Sequence, residues 1–227
     1  MKALTLPEYE ALTAGAETYS EDRYGPKVYA LADGTVLKLF RHKRLLSSSR
    51  VWPYAKRFAY AARVLAKRKI PCVHVTRVAR APHLKRDLVV YTYLEGETLR
   101  DKLVAAMAQD DTAARDALLE HHARFLAELH QKRIYFRAVH FNNVIVCPDG
   151  QLGLIDISEV WPFPFPLNPI QRARNLRPML KYDEDRAALA AHGLDRFVQN
   201  YLAHARLTPP SKLLFKAWVA GFHRAKA

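Results

Sequence analysis

The first clear pattern along the chain is a pair of apolar, β-rich runs, Val28 to Leu31 and Thr35 to Phe40, on either side of Ala32-Asp33-Gly34. An Asp-Gly pair between two such runs predicts a hairpin, because glycine supplies the positive φ that a tight turn needs. From Trp52 to Lys69 the spacing becomes that of an amphipathic helix, with Phe58, Ala62 and Leu65 on one face and Pro71 expected to end it. Val73 to Val78 and Leu88 to Tyr93 read as two further strands. Leu94-Glu95-Gly96-Glu97 interrupts this pattern, and helical spacing dominates afterwards. Thr98 to Met107 and Thr112 to Gln131 are predicted helices. The second carries Leu118, His122, Phe125, Leu126 and Leu129 on one face, with Asp111 or Thr112 as its N-cap. Ile134 to Asn143 reads as irregular and polar. Val144 to Val146 and Leu152 to Ile155 read as short strands around the turn Pro148-Asp149-Gly150. Trp161 to Pro169 holds too many prolines for regular helix. Ile170 to Leu180, Asp185 to Ala205 and Ser211 to Arg224 are predicted helices, the last two separated by Pro209-Pro210. The shift near residue 95 predicts an α+β protein of two domains, 1–94 with a sheet and one helix, and 95–227 largely helical.

Composition narrows the class. Hydrophobic residues make up 50% of the 227, enough for a core and too many for a disordered chain. No apolar run reaches the roughly 18 residues of a membrane span. Glu8 and Glu10 fall where a signal peptide would carry its apolar stretch, which disfavours secretion. The only cysteines, Cys72 and Cys147, exclude a disulfide framework and a cysteine-rich zinc site. The expected location is the cytoplasm.

The formal charge is +14, and it is unevenly spread. No carboxylate occurs between Asp33 and Asp87, a stretch with Lys38, Arg41, Lys43, Arg44, Arg50, Lys56, Arg57, Arg63, Lys67, Arg68 and Lys69. A second acid-free stretch follows Glu159 and holds Arg172, Arg174, Arg177 and Lys181. Such blocks attract phosphate-rich polymers, anionic lipid surfaces or phosphorylated glycans, and their plainest reading is a solvated face. Nucleic acid is disfavoured, since no helix-turn-helix, zinc-finger or aromatic-strand motif accompanies the charge.

Three elements carry candidate chemistry. Lys38 lies inside the apolar run Val36-Leu37-Lys38-Leu39-Phe40, where a charge is costly unless it meets an anion. Asn143 enters one short strand and Asp156 leaves its partner, so the two side chains are expected at neighbouring ends of one hairpin. Two oxygen ligands suit Mg²⁺, which completes its shell with phosphate and water. A lysine on the same phosphates would complete a phosphoryl-transfer arrangement.

On these residues the chain resembles the protein-kinase-like superfamily, and more narrowly the lipopolysaccharide core kinases (the Kdo and heptose kinases) and the small proteins called toluene tolerance proteins. The phrases that carry the resemblance are Glu21-Asp22-Arg23-Tyr24-Gly25-Pro26-Lys27-Val28, Val36 to Phe40, Gly96-Glu97-Thr98-Leu99, Ile134-Tyr135-Phe136-Arg137 with His140 and Asn143, and Gly153-Leu154-Ile155-Asp156. The resemblance implies a bilobal fold with a nucleotide cleft, ATP and Mg²⁺ as cofactors, and an anionic glycolipid or phosphorylated sugar as acceptor. Peripheral contact with an anionic membrane at its cytoplasmic face goes with it. It implies that Lys38 holds nucleotide phosphates, that Gly25 and Lys27 belong to the phosphate-covering loop, and that Tyr93 to Glu97, with Tyr93 and Glu95 as nucleotide contacts, border the adenine. Asn143 and Asp156 would bind the metal, and Arg137, His140 and Asp156 would serve catalysis.

The departures from the kinase pattern are specific. Counting back from Asn143, the His-Arg-Asp positions hold Phe136, Arg137 and Ala138, so the catalytic aspartate is missing. No helix glutamate exists to pair with Lys38. Either transfer proceeds without the usual base, with His140 taking the proton late, or the chain is a pseudokinase-type binding module. Each residue also has a plainer reading: Lys38 as a solvent-facing edge lysine, Asp156 as a turn cap, Asn143 as a loop brace, His140 as a satisfied loop histidine. His121, His122 and His130 lack metal-ligand partners and read as packing or surface.

Overall fold

The computed structural model describes residues 1–23, 25–41 and 52–224, and the chain divides into two compact units, Met1–Leu94 and Glu95–Ala227. The protein is α+β.

The Asp33-Gly34 hairpin forms as predicted. Asp33 Oδ1 accepts from the Thr35 amide (2.9 Å) and hydroxyl (2.6 Å), and Gly34 takes φ +80°. The first unit runs β1 (Lys2–Ala3), α1 (Leu6–Thr13), β2 (Glu17–Asp22), β3 (Gly25–Ala30), β4 (Val36–Arg41), α2 (Tyr54–Lys67), β5 (His74–Ala81) and β6 (Arg86–Thr92). Its strands form one sheet in the order β1-β5-β6-β4-β3-β2, with only the β1–β5 pair parallel. Side chains alternate across a strand. Leu37 and Leu39 of β4 therefore join Leu88, Val90, Ala79 and Ala81 on one face, which Leu4 and Tyr9 close. Lys38 and Phe40 take the opposite face, toward α2, whose Phe58 ring lies 5.9 Å from Phe40 and 5.3 Å from Tyr91.

Helix α2 stops before the proline expected to end it. Lys69 adopts φ 55°, its amide bonds the Ala66 carbonyl, and the Ile70 amide reaches back to Leu65 (both 3.0 Å). This is a Schellman closure with lysine in the left-handed position, sealed by the buried Leu65 and Ile70. The N-terminal α1 has its own signal in a Thr5–Glu8 capping box.

The second unit runs β7 (Glu97–Thr98), α3 (Leu99–Ala108), α4 (Thr112–Gln131), β8 (Ile134–Phe136), β9 (Val144–Val146), β10 (Leu152–Leu154), β11 (Val160–Pro162), α5 (Pro169–Arg174), α6 (Asp183–His192), α7 (Leu194–His204) and α8 (Pro209–Arg224). β10, β9 and β7 form a small sheet, and β11 pairs with β8. Helix α4 has the predicted bounds, and Asp111 Oδ1 caps it through the Ala114 amide (2.8 Å).

Four expectations are corrected. Residues 134–143 are not polar and irregular: Ile134, Phe136, Val139 and Phe141 are fully buried, and the segment holds β8 and a 3-10 turn, Phe141–Asn143. The proline-rich segment forms no regular helix before Pro169, as expected, and β11 completes a ladder with β8. The helix predicted over 185–205 breaks at Gly193 (φ 89°) into α6 and α7, and that over 170–180 breaks into α5 and a 3-10 turn. Pro209-Pro210 opens α8, since the first helical turn needs no proline N–H.

Candidate functional site

The β9–β10 hairpin is short, in register from Val144↔Leu154 to Val146↔Leu152, and the Ile155 amide extends it by donating to the Asn143 carbonyl (3.1 Å). Asn143 and Asp156 thus flank the open end of one hairpin. The other edge of β9 is held by β7, where Gly96 makes the approach possible: a Cβ there would lie 2.2 Å from the Val146 carbonyl oxygen.

Asn143 is buried. Its Nδ2 donates to the Ala138 carbonyl (3.0 Å) and to His140 Nε2 (3.1 Å). The amide nitrogen is thereby committed to bracing the loop, and the carboxamide oxygen is the atom left to ligate a cation. Asp156 is in the left-handed region at φ 47°, ψ 45°, a conformation that costs a non-glycine residue about 1–2 kcal/mol. It precedes the 3-10 turn Ile157–Glu159 but makes no side-chain cap bond to it, and the Ser158 hydroxyl lies 3.5 Å from its Oδ1. The turn-cap reading of Asp156 therefore fails.

His140 stacks edge-on against Tyr182 (4.9 Å). Burial lowers its pKa, and the nearby Arg100 and Lys181 work in the same direction against Asp185 and Asp156. A neutral ring accepting at Nε2 carries its proton on Nδ1, and that atom is buried without a hydrogen-bond partner among the described residues. The lone pair that a general base would use is taken by Asn143.

Two side chains that the sequence reading missed hold this loop in place. Asn175, 1% exposed, clamps Phe136: its Nδ2 donates to the Phe136 carbonyl (2.7 Å), while its Oδ1 accepts from the Phe136 amide (3.3 Å) and lies 3.0 Å from His130 Nε2. Asp185, fully buried, accepts from Arg100 Nε (2.7 Å) and Nη2 (3.2 Å) and from the Phe141 amide (3.1 Å). Arg100 also sits 4.4 Å from the Tyr182 ring centroid. The segment from Phe136 to Asn143 is pinned near both ends by buried polar groups from distant sequence. No local pattern marks either one, since Asp185 sits among the acids of a helix first turn and Asn175 ends a short helix.

In the first unit, Lys38 lies on an interior strand and is 8% exposed, which excludes the solvent-facing reading. Its Nζ is 5.7 Å from the Phe40 centroid and 5.9 Å from that of Phe58. Aromatic faces thus accompany the cation on the α2 side. Gly25 (φ 97°) opens β3 opposite Asp22, and Lys27 is half-buried on the same strand. Tyr93 is about half exposed (48%), and partial desolvation together with a hydrogen bond to Tyr19 raises its pKa. In the second unit Glu95 is exposed, and Arg137 points outward with Nη1 3.5 Å from Glu159.

The structure brings together Asn143, His140 and Asp156. It leaves Arg137 on the surface. Two of the basic side chains expected to meet anions are interior: Arg57 donates to the Trp52 carbonyl (2.8 Å) against the rings of Trp52 and Tyr54, and Arg172 donates to the Leu167 carbonyl (2.9 Å). Tyr24, Lys43, Arg44 and Arg50 lie outside the described residues. His122 and His130 are core groups, bound to Met179 and to Tyr201 and Asn175. Among the described residues no cluster of three or more His, Cys, Asp or Glu side chains could hold a metal alone, and no helix is long and apolar enough to cross a membrane.

No protein-family model matches the chain, and no curated protein matches it either.

Proposed function

We propose that the chain is an ATP- and Mg²⁺-dependent phosphotransferase of the lipopolysaccharide kinase type, with a bilobal protein-kinase-like fold, acting on a sugar hydroxyl of an envelope glycolipid at the cytoplasmic membrane face. The observation that carries this reading is the mouth of the β9–β10 hairpin, where the Asn143 carboxamide and a backbone-strained Asp156 flank one opening. Two protein oxygens fit Mg²⁺, which takes its remaining ligands from phosphate and water. The ion, when bound, neutralises charge on the transferring phosphoryl group. Lys38 is the amine for the nucleotide phosphates, and Gly25, Lys27, Tyr93 and Glu95 are its proposed nucleotide neighbours. The acceptor class rests on the resemblance and on the net charge of +14.

His140 acts in this reading by aligning Asn143. Proton removal from the acceptor matters little in a loose phosphoryl-transfer transition state, so positioning supplies most of the rate. A second reading, a nucleotide-binding module without turnover, is favoured by Ala138 at the aspartate position and by Phe40 and Phe58 around Lys38.

Thermal unfolding with ATP and Mg²⁺ tests the shared part. Ligand at about one hundred times Kd stabilises by ~2.7 kcal/mol. The expected shift requires both nucleotide and metal and disappears in Asp156→Ala and in Lys38→Met. No shift at millimolar nucleotide refutes both readings. Transfer of labelled phosphate to membrane glycolipid fractions, lost in Lys38→Met, separates the enzyme from the binding module.

A further inference from the structure

The first unit carries a groove that the nucleotide reading does not use. It measures about 890 Å³ and runs along α2 and the first half of β5. Ala59, Ala62 and Ala66 give it a shallow apolar wall on the helix side, with Val75 on the strand side. Lys56, Arg63 and Arg77 line it with positive charge, and among the described residues no carboxylate does so. Arg63 lies 5.5 Å from the Tyr60 ring, an aromatic face beside its guanidinium.

The strand side of the groove is an open sheet edge. β1 pairs with β5 only at Ala79 and Arg80, and the Leu4 amide adds one bond to the Arg80 carbonyl (2.8 Å). From His74 to Arg77, with a bulge at Thr76, β5 is paired with β6 alone among the described residues. At about 3.4 Å per residue that leaves an edge of roughly 14 Å. The alternation that turns the Arg80 carbonyl outward also turns the Val78 N–H to this edge, the Val78 carbonyl facing β1. Open edges of this kind accept an added strand.

We propose that this groove is a docking site for an extended, acidic segment of a partner protein, which adds to the β5 edge in line with β1 and sets its carboxylates against Lys56, Arg63 and Arg77. Charge decides among occupants. A second copy of this chain would bring the same Lys56, Arg63 and Arg77 against the first set, and like charges brought together are destabilising. A flat bilayer does not fill a concave groove whose edge offers backbone hydrogen bonds. An acidic strand satisfies both the edge and the cations, with the charge also steering encounter.

The test is selection of random ten-residue peptides displayed on phage against the full chain, followed by fluorescence polarisation of the enriched peptide. The expected winners alternate acidic and β-branched residues. Their binding weakens about tenfold or more in Arg63→Glu/Arg77→Glu, and by a similar factor when alternate peptide amides are N-methylated. Lysine-rich winners, no enrichment, or affinity indifferent to both changes overturns the proposal. So does a chain that dimerises through this edge, read as a dimer in light scattering that Val78→Pro converts to monomer. Phosphatidylglycerol vesicles that bind the wild type but not the double variant, with no peptide selected, overturn it in favour of lipid.

Discussion

Replacing Asp185 by alanine tests the loop clamp directly. The carboxylate is fully buried and makes three charge-assisted hydrogen bonds, two from Arg100 and one from the Phe141 amide. Removing one partner of a buried pair costs about 3–5 kcal/mol, because the surviving charge stays desolvated. A buried amide left without an acceptor adds about 1–3 kcal/mol. The Arg100 side chain is 18% exposed and can recover some hydration, which places the expected loss near the low end, about 3–4 kcal/mol. Urea unfolding followed by circular dichroism measures it. In the double variant Asp185→Ala/Arg100→Ala no uncompensated guanidinium remains, so the two single losses should exceed the double loss by about 2 kcal/mol. Hydrogen exchange adds a local readout: the Phe141 amide loses protection in Asp185→Ala, while the Phe136 amide, held by Asn175, keeps more of it. A loss below about 1 kcal/mol, or single losses that simply add, would refute the clamp.

Gly96→Ala should destabilise the second unit by about 2–5 kcal/mol, since its Cβ meets backbone at 2.2 Å and φ is 130°. Gly34→Ala, with open space around the new methyl, should cost only about 1–2 kcal/mol, and equal losses in denaturant melts would contradict the packing at Gly96. His122 and His130 are held neutral by burial, each with its pKa lowered to about 3. Their folded values lie below the unfolded value of about 6.5, so their contribution is complete above that pH and drains away as pH falls toward 3, by up to about 1.4 kcal/mol per pH unit for each. Urea midpoints at a series of pH values should show a shallower acid slope in His122→Leu; an unchanged slope counts against the assignment.

Local chemistry was readable where it acts locally. Helix α4 matched residue for residue because Asp111 caps it and the apolar spacing behind the cap is regular. Asn143 and Asp156 were placed together because a five-residue turn with Pro148-Asp149-Gly150 leaves their strands little choice of register. Helix α1 was missed because only Tyr9 of its residues is buried, so there was no apolar stripe to see, although Thr5 and Glu8 spell its cap. The burial of Phe136, Val139 and Phe141 could not be read locally, because the groups that hold this segment inside come from 39 and 44 residues further along. The partners of Lys38 divide the same way: Phe40 is its neighbour on the strand face, while Phe58 arrives only with the packing of α2.

The placement of Asp185 and Asn175 bears on what the loop is for. A whole buried ion pair such as Asp185–Arg100 is replaceable by apolar side chains of similar volume at equal or lower free energy, because its charges must first be desolvated. What an apolar residue cannot do is fix a particular peptide group in space, and besides Arg100 and His130 both side chains bond backbone: the amide and carbonyl of Phe136 and the amide of Phe141. Between those two points lie Ala138, whose carbonyl receives Asn143, and His140, whose ring nitrogen receives it as well. The buried anchors therefore act on one outcome, the direction of the Asn143 carboxamide. A loop kept only for packing has no need of that direction. If Asn143 ligates a cation, then Asn175→Leu, which leaves the Phe136 amide and carbonyl unpaired at about 1–3 kcal/mol each, should lose metal-dependent nucleotide binding at temperatures where it is still folded, whereas a purely structural anchor would cost stability alone.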